Sequence, residues 1–171
     1  MKFLKLIPIF LLLFGINPYK SLVHAEVNNT NDYKVLSSNN QKLSIAKVEY
    51  FLKQGDKSFK SNDFENAKDS YLAARNLATQ LASFYSDLNK AFTGVDARIP
   101  NEMKKKGKAS LQILAESNSR LAALYIRNEK ADVAVPLLVE IIRIMSPDSP
   151  EGKAAYENLI QLGFVETIFR R

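Results

Sequence analysis

Residues 64–92 read FENAKDSYLAARNLATQLASFYSDLNKAF, and within them Phe64, Ala67, Tyr71, Ala74, Ala78, Leu81, Tyr85, Leu88 and Phe92 recur at intervals of three and four. That period places all nine on one face of an α-helix. Asn62 or Asp63 caps its start, and Asp63 and Glu65 complement the positive end of its dipole. The same position accounts for the carboxylates of Asp63, Glu65 and Asp69 better than a catalytic role does. A helix of about 30 residues is about 45 Å long. An apolar stripe of that length needs other helices to cover it.

The flanks supply them. Upstream, Ile45, Val48, Leu52, Gly55 and Phe59 share one face of a helix expected over about 42–60. Downstream, Gly94 and Pro100 bracket a loop over 93–100, with Pro100 opening a third helix that runs to about Arg127. It uses Leu111, Leu114, Ala115, Leu121, Ala122 and Tyr125 as its apolar face. A fourth helix follows from Ala131 to Met145, with Pro136 inside it expected to kink it or delay its regular start. Ser146, Pro147 and Asp148 end it. Ser149 caps a fifth helix with Pro150 in first place, and Gly163 closes that helix just before Phe164. Residues 133–144 are β-branched enough to imitate a buried strand, but their length and flanks favour a helix. The expected fold is all-α, with about five helices. The second and third, nearly equal in length and joined by a short loop, should pack as an extended antiparallel pair.

The first 25 residues read as a signal peptide. Lys2 and Lys5 precede an apolar run over 6–16, and Val23 and Ala25 are small residues at the cleavage positions. That run is shorter than the roughly 20 residues a membrane-spanning helix needs, so cleavage before Glu26 is the stronger reading and an uncleaved anchor the weaker. Residues 26–41 are polar and read as a flexible linker, with 42–171 as one helical domain. The chain is thus expected to be exported: periplasmic, lumenal or secreted.

Cleavage would leave 146 of the 171 residues, with 21 basic against 18 acidic side chains, a net charge of about +3 instead of +6. So small an excess does not call for a nucleic acid partner. The chain has no cysteine or tryptophan, and its one histidine, His24, lies in the discarded segment. Without histidine or cysteine the mature chain lacks the ordinary ligands for zinc or copper and the usual nucleophile–base pairs of acyl transfer. The expectation is a protein that is not an enzyme and uses no metal or cofactor.

Small residues then recur at a fixed spacing. Gly55 is followed by Phe64, Ala67, Tyr71 and Ala74, and Ala122 by Ala131, Ala134, Leu138 and Ile141, at the same offsets of 9, 12, 16 and 19 residues. These residues resemble the tetratricopeptide repeat (TPR), a helix-turn-helix unit of about 34 residues. The resemblance covers about 48–145. Gly55, Ala67, Tyr71 and Ala74 follow the repeat's pattern closely, and Leu121, Ala122, Tyr125, Ala134, Leu138 and Ile141 follow it less closely. Ala67 and Ala134 are two periods apart with no recognisable unit between them. The resemblance therefore implies a minimal repeat body, capped by the fifth helix, from which a long helical arm projects.

In such repeats the first helix of each pair lines a concave groove that holds a protein partner. Carried over here, that surface comprises Glu49, Leu52, Lys53, Asp56, Phe59 and Lys60, with Ser119, Arg120, Ala123, Ile126 and Arg127. The competing reading makes the apolar members core and the charges merely solvated. Leu52 and Asp56 stand where a carboxylate clamp would need a cation and an amide, so binding of a chaperone tail is not expected. A second candidate is a basic tip on the arm: Arg98, Lys104, Lys105, Lys106 and Lys108, with Gly107 among them. Cations there would oppose the dipole at a helix start. They could dock on an acidic protein or an anionic membrane surface, or simply be solvated. The tail over 164–171 either folds back on the fifth helix or is offered to a partner. Together these readings describe an exported adaptor or scaffold for another protein, with assembly near a membrane and self-association among the expected roles. The alternative is a peripheral membrane-surface protein working through the basic tip.

Overall fold

The computed structural model describes residues 42–169; the segments expected to be a signal peptide and a linker, and the last two arginines, lie outside them. Among the described residues there are five α-helices and no strand: α1 (Ile45–Lys60), α2 (Phe64–Phe92), α3 (Arg98–Arg127), α4 (Ala131–Met145) and α5 (Pro150–Gln161). The fold is all-α.

Local chemistry sets the helix ends. Ser44 caps α1 by accepting from Lys47 N, so the helix begins three residues later than Lys42. Asp63 caps α2 through Asn66 N, and Ser149 caps α5 through Gly152 N at 2.9 Å with Pro150 in first position. Asn62 (φ 61°) and Gly163 (φ 77°) take the left-handed conformation beyond α1 and α5, which stops each helix. One further boundary differs from the sequence reading. The third helix opens at Arg98, ahead of Pro100, which is buried in its first turn. The fourth helix spans Ala131–Met145 as expected, with Pro136 inside it and no delayed start.

Neighbouring helices pack in sequence order, and α1 also touches α3. Opposed residues show the directions. Gly55 faces Tyr71 while Phe59 meets Phe64, so α1 and α2 are antiparallel. Gly107 faces Tyr85 while Asn118 meets Arg75, so α2 and α3 are antiparallel along their whole length.

Two apolar clusters result. Val48, Leu52, Ala67, Tyr71, Ala74 and Leu81 join Leu114, Leu121 and Leu124 among α1, α2 and α3. Ala115, Ala122, Ala134, Leu138, Ile141, Ala155 and Leu159 form the second among α3, α4 and α5. Gly55, Ala67, Ala122 and Ala134 are all buried, so the four small positions lie where helices approach one another. Among the described residues the first cluster reaches Leu81 on α2 and Ile113 on α3, and past it these two helices continue as an arm whose outer ten residues are about 15 Å long.

Candidate functional site

The groove begins with a charged network that sequence periodicity does not reveal. Gly55 lets α2 come so close to α1 that a Cβ there would lie 2.5 Å from Tyr71 Cδ1. This approach carries the Tyr71 hydroxyl to Asp56, donating to Oδ1 at 2.8 Å. Arg120 on α3 donates from Nε to that same oxygen at 2.8 Å and from a terminal nitrogen to Glu116 at 2.8 Å. Burial and the neighbouring carboxylate together hold the Tyr71 hydroxyl protonated far above the ordinary phenol range. Arg120 is held in its charged form by Asp56 and Glu116 against the opposing effect of burial.

Around this network Glu49, Leu52, Lys53, Asp56, Glu116 and Arg120 line a depression of about 330 Å³ between α1 and α3. Glu116 and Arg120 are also on the rim of a second hollow, about 450 Å³, between α3 and α5. Its floor is apolar, made by Ala115, Leu138, Ile141 and Ala155. Gln112 Nε2 donates to Glu151 Oε1 at 2.6 Å across one end, a bond that draws the Glu151 carboxyl below its usual range. The two hollows share Glu116 and Arg120 in their linings and so adjoin as a strip from α1 across α3 to α5, charged at one end and apolar at the other.

The anticipated groove residues divide in three. Glu49, Leu52, Lys53, Asp56, Ser119 and Arg120 line the strip. Phe59 and Arg127 instead meet each other: the guanidinium lies 4.9 Å from the Phe59 ring and 5.2 Å from Phe64, and donates to Asn62 Oδ1 at 2.9 Å. They clamp the α1–α2 turn. Ile126 packs against the second apolar cluster, and Lys60 is exposed at the end of α1. The strip also includes Glu151, Ala154 and Asn158 of α5, whose place there depends on how α5 packs relative to α3 and not on local sequence.

The basic residues of the arm are not equivalent. Arg98 is paired with Asp96 at 2.7 Å, Lys90 with Asp87 at 3.7 Å, and Lys106 with Glu102 at 2.7 Å while lying over the Tyr85 ring. Lys104, Lys105 and Lys108 are exposed and have no acidic partner among the described residues. Because α3 begins at Arg98, these lysines stand in its second and third turns. The dipole acts mainly on the first turn, so the expected conflict at a helix start does not arise.

Two further networks fasten the body and tail. Arg75 Nε donates to Asn118 Oδ1 at 2.8 Å and its terminal nitrogen to Glu140 at 2.7 Å, joining α2, α3 and α4. The tail returns along α5: Tyr156 donates to the Thr167 carbonyl at 2.7 Å and its ring stacks edge-on with Phe169. Among the described residues no group of three or more acidic or histidine side chains is placed to hold a metal, and no helix is long and apolar enough to cross a membrane.

Compared with known proteins, the chain matches no family model, and neither a curated protein nor a solved structure shows significant similarity to it.

Proposed function

We propose that this protein is an exported TPR-like adaptor that holds a segment of a partner protein in the strip formed by α1, α3 and α5. The observation that carries this reading is the joining of the two hollows through Glu116 and Arg120. An apolar floor beside a charged rim is the usual composition of a protein-recognition groove. Residues from successive first helices supply it, in keeping with the repeat-like spacing of Gly55, Ala67, Ala122 and Ala134. The Tyr71–Asp56–Arg120–Glu116 network has its partners within the chain, so it serves to hold the groove's shape.

A photo-crosslinking side chain at Lys53 or Ser119 in the full chain tests this reading, with Asp132 on the outer face of α4 as the control. A discrete crosslinked species from Lys53 and Ser119, absent from Asp132, is the expected result. It should disappear when Ala154→Arg blocks the apolar hollow. Equal crosslinking from Asp132, or indifference to Ala154→Arg, contradicts the proposal. N-terminal sequencing of the mature chain should find Glu26 first if export proceeds by cleavage.

A further inference from the structure

The arm carries a third cavity, about 460 Å³, between α2 and α3. Ala82, Tyr85, Met103 and Leu111 supply its apolar lining, and Lys104 and Lys108 stand one turn apart along one edge. Spanning residues 103 to 111 of α3, it is about 12 Å long.

Its direction follows from helical periodicity. On α2, Ala82 and Ser86 are seven and eleven residues beyond Arg75, and on α3, Leu111 and Gly107 precede Asn118 by the same intervals. These intervals return to nearly the same helix face. Arg75 bonds both Asn118 of α3 and Glu140 of α4. The arm cavity therefore continues the face that α4 covers in the body. There Leu137 and Ile144 pack against the α1–α2–α3 core before α4 ends at Met145. Past that point, no described helix covers the groove.

We infer that this slot is a docking site for an acidic amphipathic helix of a partner protein, lying in line with α4. Its carboxylates, one turn apart along one edge of an apolar stripe, pair with Lys104 and Lys108. Charge selects the partner: Lys90, Arg98 and Lys106 have acidic partners, and of the three arm lysines without one among the described residues, Lys104 and Lys108 border the slot while Lys105 does not. Their placement favours a helix over a membrane surface. The cations lie along the side of the arm, whereas at its end Arg98 is neutralised by Asp96. An apolar trough between two helices accepts the side chains of a third. The site is distinct from the α1–α3–α5 strip and does not depend on its reading.

The probe is a synthetic peptide of about 20 residues, long enough to hold helix in water. It carries glutamate pairs one turn apart beside a leucine stripe. A peptide with glutamine in place of glutamate, and phosphatidylcholine vesicles containing phosphatidylglycerol, complete the set. The full chain should bind the acidic peptide at low salt and the glutamine peptide much more weakly. The double variant Lys104→Gln/Lys108→Gln should lose about tenfold in affinity, within the range for two exposed ion pairs. Ser86→Trp, filling the slot from exposed α2, should weaken binding at least as much. The reversed variant Lys104→Glu/Lys108→Glu should instead bind a peptide with lysine pairs. Unaltered circular dichroism would show that these surface changes leave the helices intact. Binding insensitive to Ser86→Trp would reduce the site to unspecific charge attraction and overturn the inference. So would lysine-dependent binding to the vesicles without binding to the acidic peptide.

Discussion

Arg120 Nε lies 2.8 Å from Asp56 Oδ1, joining α3 to α1 across 64 residues of chain. The same oxygen accepts the hydroxyl of Tyr71 from α2, so one carboxylate ties three helices together directly under the groove. Both ionic partners are about one third exposed, which moderates the strength of the pair. Asp56→Ala would leave the Tyr71 hydroxyl and one guanidinium edge without their acceptor. The expected loss is about 1–2 kcal/mol, measured by urea denaturation.

The same triad has an alkaline signature. In the unfolded chain Tyr71 ionises near the ordinary phenol value of about 10, whereas in the fold burial and Asp56 keep it protonated well above that. The unfolded state therefore releases its proton first. Stability from this group is fully present below pH about 10 and declines as pH rises further. Tyr71→Phe should make the alkaline limb of the stability profile shallower than in the parent protein. Parallel profiles would mean that the hydroxyl does not control that limb.

Two glycines on helices should respond in opposite directions to alanine. At Gly55 the new methyl would collide with the buried Tyr71 ring, whose hydroxyl is fixed by Asp56. Gly55→Ala should destabilise by about 1–3 kcal/mol despite alanine's better helix propensity. At Gly107 the nearest atom would be Tyr85 Cβ at 3.6 Å, an ordinary contact. Gly107→Ala should therefore stabilise by up to about 1 kcal/mol. Thermal or chemical denaturation of the two variants side by side is the check.

Ala67 has no exposed surface and lies in the α1–α2–α3 cluster. A phenyl group there has no room without moving a helix, so Ala67→Phe should cost about 1–3 kcal/mol. A variant as stable as the parent in urea would show that the crossing can open.

Arg75 holds two partners, Asn118 and Glu140, and Asn118 is completely buried. Arg75→Ala should destabilise more than Glu140→Ala, because only the first strands a buried amide oxygen. A double-mutant cycle between Arg75 and Glu140 should yield a coupling of about 0.5–1 kcal/mol for their partly exposed pair. Equal effects of the two single substitutions would place the main interaction at Glu140 instead.

Much of the helical plan was legible because it is encoded locally. The stripe from Phe64 to Phe92 repeats at helical spacing, and Asp63, Ser149, Pro150 and Gly163 punctuate the chain with residues whose conformational preferences are intrinsic. The start of α3 was less legible because Pro100 is compatible with any position in a first helical turn. Arg98 obtains its extra support from Asp96. Groove membership was legible only in part. Phe59 and Arg127 have the periodicity of groove residues, yet they satisfy one another at the α1–α2 turn, where a ring and a cation meet by spatial proximity alone.

What the sequence determined by itself was a set of five helices with one apolar face each and small residues at four of their crossings. Periodicity and capping act over a few residues, and the chain displays them directly. Tertiary structure decided which charges remain available. Asp56 pairs with a residue on another helix, Arg75 is shared between two more, and Lys104 and Lys108 are left beside a slot where α4 has ended. Electrostatic pairing and cavity shape depend on distances between helices, and those distances come into being only when the apolar faces pack.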